Sequence, residues 1–208
     1  MSHKSAILTL NGPLEDVHII QRLIEKGYFH LCTDGAYDTL KKENITPHAI
    51  IGDMDSILTK PNDCQLIFIP DQEQNDFEKA LQWLIHENYS DVHISGFPGG
   101  RLDHELVNFT LLYYYSRQIE IYAYEGNQLA HIVKAGNYTF KGQKGDIISL
   151  IALTAAENVS LQGAQYRLES VTLMPGSRGL SNQFLEETVS LTFSKGKIIV
   201  VVPYEHNI

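Results

Sequence analysis

Short apolar runs and amphipathic stretches alternate along the first 125 residues. Residues 4–10 read as a strand ended by Asn11-Gly12-Pro13. Val17, Ile20, Leu23 and Ile24 then recur at helical spacing up to Gly27. A second strand over 28–33 runs into Asp34-Gly35-Ala36 and a short helix over 37–42, and Ala49 to Ile51 is the end of a buried strand broken by Gly52. A strand over 65–69 closes at Pro70. Asn75 with Glu78 has the form of a capping box for a helix reaching His86. The strand over 92–95 leads through Gly96-Phe97-Pro98-Gly99-Gly100 into a helix carrying Leu106, Phe109 and Leu112, with His104 and Asn108 four apart on one polar face. Residues 119–124 form the last strand of this series. Such alternation predicts a mostly parallel, doubly wound, Rossmann-like sheet with helices on both faces.

After Glu125-Gly126-Asn127 no amphipathic helix recurs. Strand-like runs follow at 129–134, 138–141, 147–153, 159–161, 170–174, 188–193 and 197–203, with Gly136-Asn137, Gly145-Asp146 and Lys195-Gly196 read as turns. The expected organisation is an α/β domain over 1–125 and an all-β sandwich or barrel over 126–208.

Composition narrows the function. A chain of 208 residues with 43% hydrophobic and 20% charged residues suits an ordinary globular protein. A net charge of −9 without a basic cluster argues against nucleic acid or an anionic membrane as partner. No apolar run approaches the ~20 residues of a membrane span, and no signal peptide is read at the N-terminus. Cys32 and Cys64 lack metal-ligand spacing and read as reduced thiols, so the expected location is the cytoplasm.

The chemistry gathers where strands give way to helices. Asp53 and Asp55 stand one residue apart after the run 49–51, where an open parallel sheet binds ligands. Taken singly, such an acidic turn reads as a helix cap. Yet Asp34, Asp76, and Arg101 with Asp103 fall at three further turns expected on the same edge. A carboxylate cluster beside a Gly99-Gly100-Arg101 loop balances its charge only with a cation and a polyphosphate. Hard oxygen ligands suit Mg²⁺, a Gly-rich loop at a helix N-terminus admits phosphate, and Arg supplies a forked donor. The residues themselves therefore point to a Mg²⁺-dependent enzyme acting on a nucleotide or another phosphate-rich substrate. They match neither the Walker loop nor the dinucleotide fingerprint.

Five segments in series make the sequence resemble the thiamine pyrophosphokinase family: Asp34-Gly35-Ala36, Gly52-Asp53-Met54-Asp55-Ser56-Ile57, Asp71-Gln72 with Asp76 to Leu81, Gly96 to His104, and Gly179-Leu180-Ser181-Asn182-Gln183-Phe184. Asn75, Gln183 and Phe184 stand where relatives often carry Thr, Glu and Trp.

The resemblance implies an N-terminal α/β domain, a C-terminal β domain and a homodimer with thiamine near the subunit junction. It implies transfer of the pyrophosphoryl group of ATP to the thiamine hydroxyl, releasing AMP. Asp53, Asp55, Asp76 and Asp103 would then hold Mg²⁺, with Asp34 as an outer ligand. Asp103 would accept the hydroxyl proton. Asp34, Gln72, Gly99, Gly100, Arg101 and Asn108 would line the ATP site. Ser181 and Asn182 would orient the aminopyrimidine, with Phe184 stacked on it. Two other readings compete: a Mg²⁺-dependent sugar-nucleotide glycosyltransferase, which leaves the Gly-Gly-Arg loop unexplained, and a non-catalytic nucleotide- or thiamine-sensing module. Apolar runs at 147–153 and 198–202 that do not alternate suggest a homodimer paired through 128–208.

Overall fold

The crossovers between strands decide where a site can form. The computed structural model describes residues 3–59, 61, 63–98 and 101–207, and the chain divides into two units, Met1–Gly126 and Asn127–Ile208. In the first, β1 (Ser5–Thr9), α1 (Val17–Glu25), β2 (Phe29–Thr33), α2 (Asp34–Lys42), β3 (Ala49–Gly52), β4 (Gln65–Phe68), α3 (Asp76–His86), β5 (Asp91–Ser95), α4 (Leu102–Tyr115) and β6 (Glu120–Glu125) follow in order. The strands lie in the order β6-β5-β1-β2-β3-β4, and each neighbouring pair is parallel. Strands β1, β2, β3 and β5 are buried almost throughout, as a sheet covered on both faces requires.

The chain leaves β1 towards β2 but leaves β5 towards β6. Right-handed crossovers thus place α1 and α2 on one face and α3 and α4 on the other. The direction reverses between β1 and β5, which opens a crevice at their carboxyl ends. Backbone meets backbone there: a Cβ on Gly12 would lie 2.4 Å from the carbonyl oxygens of both Gly96 and Pro98. Glycine at this position is therefore dictated by packing.

Two local expectations are corrected. Among the described residues no helix follows Asp53-Met54-Asp55, so those acids cap nothing; the segment is a loop joining parallel β3 and β4. The capping box is half formed. The Asn75 side chain accepts from the Glu78 N–H at 2.9 Å, but the Glu78 carboxylate accepts from Tyr115 Oη at 2.8 Å and ties α3 to α4.

The second unit contains β7 (Gln128–Lys141), β8 (Ile147–Ala152), β9 (Ala156–Gln162), β10 (Leu168–Leu173), β11 (Asn182–Gln183) and β12 (Thr188–Pro203), then a 3₁₀ turn at Tyr204–His206. Strands β7 and β12 pair antiparallel along their length, with a register shift between Phe193 and Lys197. Before the shift β12 also pairs with β9; after it, β12 pairs with β8. One bent hairpin thus supplies strands to both layers of a β sandwich, whose corners are commonly turned at bulges. Gly136-Asn137 and Lys195-Gly196 accordingly lie within strands at this bend and not in turns. The bend needs Gly196: its φ is +96°, and a Cβ would sit 2.5 Å from the Ala155 carbonyl oxygen. Gly145-Asp146 does form a turn, with Gly145 at φ +96°.

Candidate active site

Five strand ends and three helix starts frame one cavity of about 480 Å³ at the β1/β5 crevice. Its lining includes Asn11 and Gly12 after β1, Asp34 after β2, Asp53 and Ser56 after β3, Gln72 after β4, Asp76 and Lys79 on α3, and Arg101, His104 and Asn108 at α4. The edge on which the sequence pattern places these residues is the edge where they meet.

Three carboxylates converge. Asp34, Asp53 and Asp55 each offer an oxygen within 4.8 Å of the others, the one such trio among the described residues. The backbone produces this convergence. Met54 has φ +67°, a left-handed conformation uncommon outside glycine, which folds the Asp-Met-Asp turn back on itself. Asp55 N–H donates to Asp53 Oδ1 at 3.2 Å, and Ser56 Oγ donates to Asp55 Oδ1 at 2.9 Å. Gln72 Nε2 donates to Asp53 Oδ2 at 2.6 Å and holds that carboxyl below its ordinary range. Asp38 on α2 anchors the far side of the loop, accepting from Leu58 N–H at 2.8 Å and Thr59 Oγ1 at 2.7 Å.

Asp34 is the inner member. Its side chain is only 2% exposed, and it accepts from Gly35 N–H at 2.6 Å and from Met54 N–H at 3.0 Å. Burial, and next the nearby Asp76, nevertheless push its carboxyl up to about 6. A Cβ on Gly52 would lie 2.8 Å from the Asp34 carboxyl carbon, so this approach also depends on glycine. Three oxygens at this spacing, one of them poorly solvated, fit a hard divalent cation.

The other expected residues are placed differently. Asp76 lines the cavity but stands outside the converging trio, and its Oδ1 accepts from Lys79 Nζ at 2.9 Å. Arg101 and Asp103 face each other at the exposed start of α4 in a two-bond ion pair of 3.1 and 2.6 Å. Arg101 holds the Asp103 carboxyl below the usual carboxylate range. Asn108 lines the cavity and accepts from Asn75 Nδ2 at 3.5 Å. Gly99 and Gly100 lie outside the described residues.

In the C-terminal unit two of the residues expected at thiamine are turned inward. Phe184 is 0% exposed, so its ring is core and has no face for a ligand. Asn182 is 3% exposed, and its amide is engaged by its neighbours: Oδ1 accepts from Tyr166 and Gln183 N–H, and Nδ2 donates to the Tyr166 carbonyl. Alternation along the strand leaves Ser181, Gln183 and Leu185 exposed instead.

Lys79 was given no role by the sequence pattern. It is 4% exposed, and a buried lysine requires a partner. The available signal was its place on the helix, one turn after Asp76 and beside Ala80 and Leu81.

Residues 20–123 match the family model of the thiamin pyrophosphokinase catalytic domain, and residues 133–198 match the thiamin pyrophosphokinase vitamin B1 binding domain. A thiamine pyrophosphokinase of Bacillus subtilis (strain 168) is 27% identical over 209 residues, spanning 95% of this chain and 98% of that protein. Among solved structures, thiamine pyrophosphokinase from Bacillus subtilis aligns with a TM-score of 0.85 at 23% identity over 96% of this chain and 99% of that one. Yeast thiamin pyrophosphokinase aligns with a TM-score of 0.74 at 17% identity over 98% and 87% of the two chains. At those identities the structural likeness speaks for the fold. Both units are matched, in order, by models of one family, and on that ground the chain belongs to the thiamine pyrophosphokinase family.

Proposed function

We propose that the chain transfers the pyrophosphoryl group of ATP to the hydroxyl of thiamine, giving thiamine diphosphate and AMP. Family membership over both units carries this reading, and the acidic cavity at the switch point is the place for it. The new bond joins the thiamine oxygen to the β-phosphorus. The bond broken runs from that phosphorus to the bridging oxygen, which leaves with AMP, while the hydroxyl proton passes to a base or to water. The protein's part in such a transfer is positioning and charge neutralisation.

Mg²⁺ held by Asp34, Asp53 and Asp55 would neutralise the triphosphate. Gln72 and Ser56 hold Asp53 and Asp55 in place. The Lys79–Asp76 pair sets a cation against the cavity wall, and Arg101 stands at its rim within reach of phosphate if it exchanges Asp103 for the substrate. Thiamine falls to the C-terminal unit in this reading, with exposed Ser181 and Gln183 as contacts and Asn182 and Phe184 fixing the segment that carries them. Test: incubate the protein with ATP, Mg²⁺ and thiamine and resolve the nucleotides. AMP in step with thiamine diphosphate is expected; thiamine-dependent ADP would refute the proposal.

A homodimer through the β unit belongs to the same reading, on altered grounds. Ile198, Ile199, Val200 and Val202 are already buried in a single chain, so β12 does not itself call for a partner. The support comes from Ile147, Tyr166, Met174, Leu180 and Leu185, all exposed on this unit. Light scattering at micromolar concentration checks it, and a fully active monomer would refute it. A cytoplasmic setting, where thiols stay reduced, accords with unpaired Cys32 and Cys64.

A further inference from the structure

The acidic loop after β3 has little packing of its own. From Asp55 to Thr59 every residue but Ile57 is exposed, and Leu58 stands 88% open to solvent. Polar bonds therefore decide where this loop lies. Asp55 is the most exposed of the three converging carboxylates. Among the described residues its bonds stay inside the loop: its N–H donates to Asp53, and its Oδ1 accepts from Ser56 Oγ. Its place thus follows from the points at which the loop is tied to the rest of the fold.

Gln72 holds Asp53 from the turn after β4, and the remaining ties belong to one helix. On α2, Asp34 accepts from Met54 N–H at 3.0 Å, while Asp38 accepts from Leu58 N–H at 2.8 Å and from Thr59 Oγ1 at 2.7 Å. Asp34 and Asp38 are four residues apart and share a helix face, and the amides they hold, Met54 and Leu58, are four apart as well. The helix is itself fixed, with Ala36, Tyr37 and Leu40 buried. It acts as a splint that grips the loop on either side of Asp55.

We propose that Asp38 is a positioning residue for the divalent cation: by holding Leu58 and Thr59 to α2, it keeps the Asp55 carboxylate within coordinating reach of Asp34 and Asp53. This role rests on the reading of Asp34, Asp53 and Asp55 as metal ligands. Asp38 is not a ligand itself, since it stands outside the trio and outside the cavity lining, and both of its oxygens are engaged by the loop. Three carboxylates at this spacing repel one another until a cation arrives. The exposed member is the one free to swing away, and the bonds to Asp38 oppose that movement from its downstream side. Groups that orient metal ligands commonly govern affinity without touching the ion.

The test titrates Mn²⁺, which takes the same hard oxygen ligands, into the full chain without nucleotide and below its melting temperature; free Mn²⁺ is counted by electron paramagnetic resonance. Asp38→Ala should raise the dissociation constant about tenfold or more. Thr59→Val keeps every charge and removes one bond, so it should raise the constant about threefold, and Thr59→Ser should restore the parent value. A contact that served stability alone would lower Tm and leave the dissociation constant of the folded chain unchanged. The Thr59 variants decide the matter if Asp38→Ala fails to fold. Asp53→Asn, which alters a ligand, is the control for the site itself. Weakened binding in Asp53→Asn with parent-like binding in Asp38→Ala or Thr59→Val would overturn the positioning role and leave the metal site standing. A Thr59→Ser variant that binds no better than Thr59→Val would overturn it too. A parent-like Asp53→Asn, or a parent that binds no Mn²⁺, would overturn both readings.

Discussion

The backbone N–H of Met54 donates to Oδ2 of Asp34 at 3.0 Å, across twenty positions of sequence. This bond joins the first residue of α2 to the acidic turn after β3, so the two halves of the candidate metal site are positioned by each other.

Asp34→Asn should separate stability from activity. The folded carboxyl is raised from 3.8 to about 6, so between those values the folded state holds more protons than the unfolded one. Stability from this group is therefore present at low pH and lost as pH rises through about 6. Metal-free Asp34→Asn removes the burial cost of the charge but forfeits one of the two backbone N–H bonds that the carboxylate accepts, so its stability at pH 7 should stay within about 1 to 2 kcal/mol of the parent's. It should also show a flatter pH profile between 4 and 7. Activity should fall about 10²-fold or more. Denaturant melts across pH, with and without Mg²⁺, check both halves. A parent whose metal-free stability rises through this window would refute the assignment.

Lys79→Met tests the buried ion pair. Removing the lysine leaves Asp76, itself 28% exposed, facing a wall without its cation. The expected loss is about 1–3 kcal/mol, less than the full cost for a wholly buried pair. The double variant Asp76→Asn/Lys79→Met should recover most of that stability and none of the turnover. Additive losses in melting would show that the two residues act independently.

Arg101→Lys should weaken the use of ATP while leaving thiamine affinity nearly unchanged, since a point charge cannot reproduce a fork. The readout is KM for each substrate measured separately. Unaltered ATP kinetics would confine Arg101 to its ion pair with Asp103 on the surface.

Phe184→Ala should act on folding. Truncating a fully buried ring costs about 3–5 kcal/mol, whereas Phe184→Leu keeps most of the volume and should cost far less. Thiamine KM should stay within a few-fold in the leucine variant. A large rise in that KM at nearly native stability would return Phe184 to the ligand.

Much of this was legible in the sequence, for identifiable reasons. Buried parallel strands carry uninterrupted apolar runs, and turns at one sheet edge carry their polar residues together, so Asp34, Asp53 and Asp55 could be assigned to one place before any coordinates, whereas Gln72 came only with the family resemblance. Direction was harder to read. Asp103 and Asp76 share that edge, but each also meets a cation within three residues, a pairing the run of turns does not reveal. Ser181 to Phe184 shows the same limit in a strand. Period-two alternation fixes that two of the four face inward, but not which two until the register with β8 is known. Gly136 and Gly196 read as turns because glycine marks turns and bulges alike, and only the long pairing of β7 with β12 distinguishes them.

The bent hairpin also bears on how the protein is made. Strand β12 supplies a strand to both layers of the sandwich and follows β7, β8 and β9, all of which pair with it. Neither layer can close before it emerges. The parallel sheet of the first unit is complete by Glu125 and can form while the remainder is still being synthesised. During synthesis the cavity that holds the acidic trio thus precedes the sandwich, and a ribosome stalled within β12 would leave the first unit folded and the second without either of its layers.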